Sequence, residues 1–458
     1  MGIRKGLCVE RTLTDGKITT TILKFSVPMI IGNLLQQFYN IVDTLIVGQF
    51  VGTNALAAVG ASYTLMTFLT SVLMGMCMGS GTVFSLYYGE GNKVRLQKSI
   101  QTAFLMIAAC SVALNAAVFW GIDSIIHFLR IPAEILGLMR NYLWIIFWGM
   151  SATFLYNFFG SLLRSIGNSV VPLVFLGIAA VLNIGLDLLF VLVFKWGVEG
   201  AAIATVISQF VSGVGIGIYV MTRYPAFRIR KGKGFFTAAL VKEITHFSLL
   251  TCIQQSIMNF GILLVQGLIN SFGIVVMAAF AAAVKIDSFA YMPVQDFGNA
   301  FSIFVAQNYG ANQIKRIKQG IKSAFMVAAL FSLIISVVVF LFAKPLLCIF
   351  VPHQETEVIA VGMQYLRIEG ACYLGIGWLF LFYGLYRAMR KPGMSVVLTV
   401  ISLGSRVILA YVLSAIPAVG VAGIWISVPI GWFLADAAGL LYYCKMRTVF
   451  HNRLPVEG

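Results

Sequence analysis

The chain has 458 residues, of which 60% are hydrophobic and only 10% are charged. Because a soluble globular chain carries about 25% charged residues, this composition excludes a soluble enzyme, a soluble nucleic-acid-binding domain and a disordered chain. The formal net charge is +16, and its meaning depends on where the basic residues fall. The composition predicts a protein that crosses a membrane many times.

Twelve apolar runs are each long enough to cross a bilayer, which takes about 20 residues of α-helix. Spans 1 to 6 are predicted at residues 25–49, 54–87, 99–121, 138–163, 170–194 and 198–221. Spans 7 to 12 are predicted at residues 246–271, 275–309, 321–343, 358–386, 394–416 and 419–444. No short apolar stretch with a cleavage site precedes span 1, so we expect no removable signal peptide. The expected fold class is an all-α polytopic membrane protein.

The basic residues are distributed unevenly between the two sides of the predicted membrane. If the N-terminus is cytoplasmic, 25 of the 32 Lys and Arg residues fall in inner segments and five fall in outer loops. This asymmetry predicts an even number of spans with both termini in the cytoplasm. The net charge is therefore interpreted as contact with anionic membrane lipids, and no nucleic-acid partner is expected.

The second half of the chain repeats the first. Residues 88–104 align with residues 309–325 at an offset of 221, and residues 197–207 align with residues 420–430 at an offset of 223. Six spans per copy predict two six-helix lobes related by a pseudo-twofold axis along the membrane normal, as in transporters with parallel repeats. The predicted parts are a cytoplasmic N-terminal segment (1–24), an N-lobe (25–221), a basic inter-lobe loop (222–243), a C-lobe (244–444) and a cytoplasmic tail (445–458).

Polar side chains within the spans of the N-lobe suggest a cation site, because such residues are rare in lipid and usually functional. Span 1 carries Gln36, Asn40 and Asp43 on one helix face, and span 5 carries Asn183 and Asp187 one turn apart. A buried carboxyl group beside a second one binds a proton readily, and with further oxygen ligands the pair can bind Na⁺. The alternative is that the two carboxyl groups cap kinked helices or fix the packing of the lobe.

Three more polar residues of the N-lobe are candidates for the same site. Thr205 lies in the middle of span 6, Asn157 lies in span 4, and Tyr142 lies near the outer end of span 4. Thr205 is expected to offer an oxygen ligand to the cation. The alternative for a buried Thr is a hydrogen bond to its own helix backbone.

The C-lobe carries a different set of charged residues. Lys285 and Asp287 in span 8 are two positions apart, so they point to different faces, and either one lines a cavity or pairs between helices. Glu369 and Asp436 lie near predicted span ends, where we expect water to solvate them. Asp296 in span 8 and Arg406 in span 11 complete this set.

Six segments of the chain resemble the MATE (multidrug and toxic compound extrusion) family. They are residues 28–43, 55–60, 163–172, 183–187, 197–205 and 305–311, in that order along nearly the whole chain. The resemblance implies twelve helices in two six-helix lobes. It also implies a cation-coupled antiporter that exports amphipathic, often cationic, organic compounds by alternating access.

The resemblance also implies the functional residues and the branch of the family. It places a cation-coupling site at Asp43, Asp187, Asn183, Thr205, Asn157 and Tyr142. The polar residues of the spans separately predict a substrate cavity near Gln36, Asn40, Gln255, Lys285 and Asp287. NorM-like members carry acidic residues on spans 7 and 10, where this chain has Gln254 or Gln255 and Ile376. A DinF-like transporter without that C-lobe site is therefore expected, with either H⁺ or Na⁺ as the coupling ion.

Other functional classes are compared with the antiporter. A lipid-linked glycan flippase needs a strongly basic cavity, to which only Lys285 and Arg406 would contribute, and an exporter of a narrow natural metabolite is a further alternative. The chain has no H-E-x-x-H motif, nucleophile elbow or P-loop, so neither an enzyme nor an ATP-driven pump is expected. We expect a monomer of the bacterial inner membrane that needs no cofactor and contacts small organic molecules and membrane lipids.

Overall fold

A computed structural model of the chain describes residues 12–128, 133–227 and 237–451. The start of the predicted N-terminal segment, the middle of the basic loop and the end of the predicted tail lie outside the described residues. Across the described ranges the regular secondary structure is helical, and no β-strand occurs there. The all-α fold class is confirmed.

Seven α-helices form the first half of the described chain. They are α1 (Ile18–Phe50), α2 (Thr53–Gly89), α3 (Lys93–Phe128), α4 (Ala133–Trp148), α5 (Met150–Ser165), α6 (Val170–Asp187) and α7 (Gly197–Arg223). A π-helix, Leu188–Val193, joins α6 to the segment before α7, and a short 3₁₀ helix, Pro225–Phe227, follows α7.

Eight α-helices form the second half. They are α8 (Ala238–Asn270), α9 (Ile274–Gly310), α10 (Ile314–Leu341), α11 (Ala343–Leu347), α12 (Thr356–Gly370), α13 (Tyr373–Ala388), α14 (Pro392–Ser414) and α15 (Val421–His451). Pro28, Pro293 and Pro429 lie inside α1, α9 and α15, which continue through them.

Ten of the helical segments in the described residues are long and apolar enough to cross a membrane singly. Two further spans are bent pairs, because α4 meets α5 at 44° and α12 meets α13 at 51°. Counting each pair as one span gives twelve, which agrees with the twelve apolar runs. The two bends themselves are not visible in the apolar pattern, since hydropathy is insensitive to a change of direction over one or two residues.

The chain divides into two compact units. Unit 1 comprises Met1–Ile253 and Ala306–Ile314, and unit 2 comprises Gln254–Val305 and Lys315–Gly458. Unit 1 thus contains α1 to α7, the first half of α8 and the last turn of α9. Unit 2 contains the remainder of α8 and α9 together with α10 to α15.

Within unit 1 the last turns of α2 and α9 cross at two glycines. A Cβ atom on Gly89 would overlap the backbone carbonyl oxygen of Gln307, and a Cβ atom on Gly310 would overlap that of Leu86. Gly89 and Gly310 occupy equivalent positions in the sequence repeat. Each therefore faces the carbonyl group three residues before the other, and the crossing has the symmetry of the repeat.

A short segment before α1 packs beside this crossing. The backbone N–H of Leu13 donates to Gln307 Oε1 at 3.0 Å, and Gln307 Nε2 donates to the carbonyl oxygen of Ser165 at 2.7 Å. Leu13 and Gln307 are both buried. The end of α9 is thereby tied to the N-terminal segment and to the end of α5, all within unit 1.

Candidate cation site

Unit 1 brings together the two carboxyl groups that the sequence singles out. Asp43 lies in the second half of α1, and Asp187 is the last residue of α6. Asp187 is 0% exposed, and the Oδ1 atom of the half-buried Asp43 is buried as well. The two carboxyl groups face each other closely enough for a shared proton to hydrogen-bond them.

The backbone changes its helical form directly after Asp187. Here α6 passes into the π-helix Leu188–Val193, which is six residues long. Wider π turns are rare and occur mostly at functional sites, because they redirect the side chains of one turn. The sequence shows this stretch only as the end of a continuous apolar span, so the π-helix was not predicted.

Asn183 and Thr205 join α6 to α7 beside the carboxyl pair. Asn183 is 2% exposed, and its Nδ2 atom donates to Thr205 Oγ1 at 3.3 Å. The Asn183 Oδ1 atom is buried and accepts no hydrogen bond from any described residue. The same is true of Asp43 Oδ1 and both carboxyl oxygens of Asp187.

These four acceptor oxygens give the site its chemical character. Buried polar atoms in proteins are nearly always hydrogen-bonded, so a group of unpaired acceptors indicates a position that a proton or a cation can fill. No set of three or more His, Cys, Asp and Glu side chains is placed to hold a metal ion within the described part of the chain.

Two tyrosines lie beside the carboxyl pair. Tyr142, on α4, is 5% exposed and within electrostatic range of both Asp43 and Asp187. Tyr39, on α1, is near Asp43 and Tyr142. Tyr39 is not among the residues predicted from the sequence, although it lies one helical turn before Asp43 and this spacing places the two on one helix face.

Tyr142 belongs to an apolar cluster that lies beside the site. Its buried members come from α1, α2, α4, α7 and the π-helix. They are Ile46, Val47, Ala55, Val59, Ile146, Val191, Val198, Ala201 and Ala202. Such a cluster lowers the local dielectric constant, which makes an uncompensated carboxylate costly and favours binding of a positive charge.

The other predicted residues of unit 1 lie in different surroundings. The Asn157 amide, on α5, donates to the backbone carbonyl oxygen of Thr153 at 2.8 Å, and within the described residues it makes no hydrogen bond to either carboxyl group. Gln36 is exposed and Asn40 is half-buried on α1. Thus the structure places Asp43 beside Asp187, bonds Asn183 to Thr205 one helical turn away, and sets Tyr142 within electrostatic range of both carboxyl groups. Asn157 is the sixth predicted coupling residue, and its amide is bonded to its own helix.

The second unit holds a separate set of buried charges. Asp287 is 5% exposed and Glu369 is 1% exposed, and the Tyr365 hydroxyl donates to Asp287 Oδ2 at 3.4 Å. The expectation that water solvates Glu369 and Asp436 is wrong, because both carboxyl groups are buried. Glu369 lies at the end of α12, where the bent span places it inside the fold rather than at a membrane surface.

The remaining predicted cavity residues are in unit 2. Lys285 is exposed and its Nζ atom lies 5.7 Å above the ring of Phe350, whereas Asp287 is buried. The prediction that Lys285 and Asp287 point to different faces is confirmed. Gln255 is half-buried on α8.

The MatE family model matches residues 28–189 and 250–412 of the chain. The chain belongs to the MATE family. Each matched segment falls in one copy of the internal repeat, which supports the duplication inferred from the sequence. Members of this family are transporters, so the protein is a membrane transporter and not an enzyme.

Individual relatives align over almost the full length of this transporter. It is 28% identical to "Probable multidrug resistance protein YpnP" of Bacillus subtilis, covering 94% of this chain and 96% of that one. It is 25% identical to "FAD transporter" of Shewanella oneidensis, covering 95% and 96%. Its structure matches that of a MOP superfamily transporter from Pyrococcus furiosus with a TM-score of 0.91 and 20% identity, covering 98% of this chain and 100% of that chain.

Proposed function

We propose that this transporter is a cation-coupled antiporter that exports amphipathic or cationic organic compounds by alternating access. The observation that supports the proposal is the Asp43 and Asp187 pair, which presents buried oxygen atoms that receive no hydrogen bond from the described residues. A structural role for the pair would be expected to pair those atoms with donors, as buried polar groups usually are.

The geometry suggests how binding a cation changes the energy of unit 1. Without a cation, two carboxylates on α1 and α6 repel each other in an apolar surrounding. A proton or Na⁺ between them removes that repulsion and favours the arrangement in which the two helices remain together. Because a ligand shifts a conformational equilibrium by its difference in affinity for the two states, cation entry can drive the protein toward one of its two access states.

The same negative charge accounts for exchange with a cationic substrate. A bound cation neutralises the pair, which removes the electrostatic attraction for a positively charged organic compound. Cation and substrate therefore compete for the charge of Asp43 and Asp187, and this competition is the basis of antiport. Asn183 and Thr205 contribute the neutral oxygen atoms that position the cation.

The finer assignments belong to the same proposal. We assign the protein to the DinF-like branch, because Gln254 or Gln255 and Ile376 stand where the NorM-like branch has acidic residues. We place both termini in the cytoplasm on the basis of the charge asymmetry and the protein in a bacterial inner membrane as a monomer. The coupling ion is H⁺ or Na⁺, and the experiment below distinguishes them.

Export of one natural metabolite is the second candidate. It is favoured by the relative whose name describes FAD transport, since FAD carries phosphates and is not a cationic drug. A lipid-linked glycan flippase has less support, because Lys285 is exposed and Arg406 is the remaining predicted basic group.

Flux measurements in proteoliposomes test the main proposal. Ethidium or norfloxacin transport is measured under a pH gradient and, separately, under a Na⁺ gradient, for the wild-type protein and for Asp187→Asn. Asp123→Asn is the matched control, since Asp123 is exposed at the end of α3 and pairs with Arg140 on the surface. The proposal predicts that Asp187→Asn loses gradient-driven flux and that Asp123→Asn retains it.

Each result has a definite meaning. The gradient that drives flux in the wild-type protein identifies the coupling ion. Equal gradient-driven flux in Asp187→Asn and wild type would show that the carboxyl pair is structural. Absence of ethidium and norfloxacin flux under both gradients, with FAD flux present, would favour the metabolite exporter.

A further inference from the structure

We propose that unit 2 contains a second proton-binding site, in which Asp287 and Glu369 share one exchangeable proton beside Arg406. The three residues come from α9, α12 and α14, all within unit 2. None of them belongs to the carboxyl pair of unit 1, and none occupies the positions of Gln254, Gln255 or Ile376 at which the family resemblance would place acidic groups.

Burial and unpaired atoms provide the first evidence for the site. Asp287 is 5% exposed and Glu369 is 1% exposed. Asp287 Oδ1 and Glu369 Oε1 are buried without a hydrogen-bond partner among the described residues. A carboxylate oxygen in that position is stabilised by a proton, because desolvating an unpaired anion costs several kcal/mol.

Charge balance sets the number of protons. Arg406 acts on both carboxyl groups through space, but in the part of the chain that the structure describes it makes no direct ion pair with either. One guanidinium compensates one carboxylate. The second carboxyl group therefore needs a further positive charge, and one proton supplies it.

The other ionisable groups around the site do not compete for that proton. The groups that face the two carboxyl groups are Tyr291, Tyr365, Cys372, Tyr373 and Arg406. Tyrosine and cysteine side chains are ordinarily neutral at physiological pH, and arginine remains charged. Proton exchange in this range is thus left to Asp287 and Glu369.

The position of the site in the fold supports a functional role. Glu369 lies in the last turn of α12, and Tyr373 begins α13 after a 51° bend. The Tyr373 hydroxyl is buried and faces Asp287 without reaching hydrogen-bond geometry. Transporter binding sites are commonly built where a membrane helix is broken, because the break places polar groups inside the fold.

The inference stands whether or not the protein exports drugs, because proton binding at this site requires no transported substrate. If the protein is the antiporter proposed above, then each of its two units carries a cation site. The charge balance differs between them, since the unit 2 site contains its own arginine.

Infrared difference spectroscopy on the purified full-length protein in detergent tests the proposal without any substrate. Buried protonated carboxyl groups give a distinct C=O stretching band, whose loss is followed as the buffer changes from acidic to alkaline. In Glu369→Gln or Asp287→Asn the remaining carboxylate is balanced by Arg406, so either variant is expected to lose the part of the exchangeable band that this site contributes, while any part from Asp43 and Asp187 remains. In Arg406→Gln both carboxyl groups need a proton, so the contribution of this site to the band is expected to increase about twofold.

Asp436→Asn is the matched control. Asp436 is also a buried carboxyl group of unit 2, and its oxygens have no hydrogen-bond partner among the described residues. It does not face Asp287 or Glu369. The variant is expected to leave the exchangeable band of Asp287 and Glu369 unchanged. An exchangeable band that keeps its full wild-type intensity in both Glu369→Gln and Asp287→Asn would overturn the proposal, as would a wild-type protein without such a band.

Folding is checked by size-exclusion profile and thermal unfolding, and Glu369→Gln is the preferred variant because Gln resembles the protonated acid. If one of the two single variants does not fold, the other carries the same expectation. An unchanged band in folded Arg406→Gln would show that the arginine does not compensate a carboxylate, and it would overturn the charge balance on which the site rests. If the wild-type protein transports neither ethidium nor norfloxacin but its infrared bands change as expected, the antiporter proposal fails and the second proton-binding site stands.

Discussion

The two copies of the repeat keep the same helix framework but carry different charges. In unit 1, Asp43 and Asp187 act on each other, and among the described residues no basic group acts on either. In unit 2, Arg406 acts on both Asp287 and Glu369. In the two sites that we propose, the unit 1 pair depends on a bound cation for compensation, whereas Arg406 compensates one of the two carboxylates in unit 2.

The framework shows what the two copies have in common. Gly89 and Gly310 are equivalent in the repeat, and each makes room for a backbone carbonyl group at the same crossing. A position of this kind tolerates no side chain, so it remains glycine in both copies. Close packing thus fixes the helix ends at Gly89 and Gly310 in both copies, whereas the charged residues inside the two copies differ.

The largest effect is expected when one aspartate in each unit is replaced by asparagine and the two losses of flux are compared. Asp43→Asn is expected to reduce gradient-driven flux by at least about tenfold, because it removes a charge that nothing else in unit 1 replaces. Asp287→Asn is expected to reduce flux less and to lower the number of cations exchanged per substrate. Initial rates and the gradient at which flux reverses measure the two quantities. Equal losses of flux in both variants would contradict the proposed difference in charge compensation between the two units.

A stability measurement tests the shared framework. Gly89→Ala and Gly310→Ala each place a Cβ atom against a backbone carbonyl group and are expected to destabilise the protein by about 1–3 kcal/mol. Thermal unfolding in detergent measures the loss. Gly60→Ala is the control on the same helix as Gly89, since nothing lies within 4 Å of its Cβ position. Equal unfolding temperatures for Gly89→Ala and Gly60→Ala would contradict the close crossing.

Much of the fold follows from the sequence, because hydropathy and charge act locally along the chain. The twelve spans, the repeat and the helix-face spacing of Asn183 and Asp187 depend only on residues close in sequence. The facing of Asp43 and Asp187 depends on packing between α1 and α6, which are far apart in the chain. Helix-face spacing shows that each carboxyl group points away from lipid, but not that the two meet.

The wrong prediction for Glu369 and the unpredicted π-helix both arise from backbone geometry that hydropathy does not report. The sequence predicts Glu369 at a water-exposed span end only if span 10 is one unbroken helix. The bend between α12 and α13 changes that geometry and buries the carboxyl group. The π-helix after Asp187 was missed for a related reason, since an apolar run has the same hydropathy in an α-helix and a π-helix.

A moderate effect is expected from the hydroxyl group of Thr205. Thr205→Val removes the acceptor for Asn183 Nδ2 and is expected to weaken cation affinity about fivefold, which corresponds to the loss of one hydrogen bond of about 1 kcal/mol. The cation concentration that gives half-maximal flux measures this change. Thr205→Ser keeps the hydroxyl group and is expected to behave like the wild-type protein. If both variants behave alike, the hydroxyl group does not contribute to the site.

The smallest effect on flux is expected from replacing Asn157, which we place just outside the unit 1 site. Its amide hydrogen-bonds the carbonyl oxygen of Thr153 on the same helix, so Asn157→Ala is expected to change flux by less than about twofold. Cation affinity and flux are measured beside Asn183→Ala, which removes an amide of the site itself. A loss as large as that of Asn183→Ala would place Asn157 in the cation site during transport. The site would then extend from α6 and α7 onto α5, and the hydrogen bond to Thr153 would belong to one access state alone.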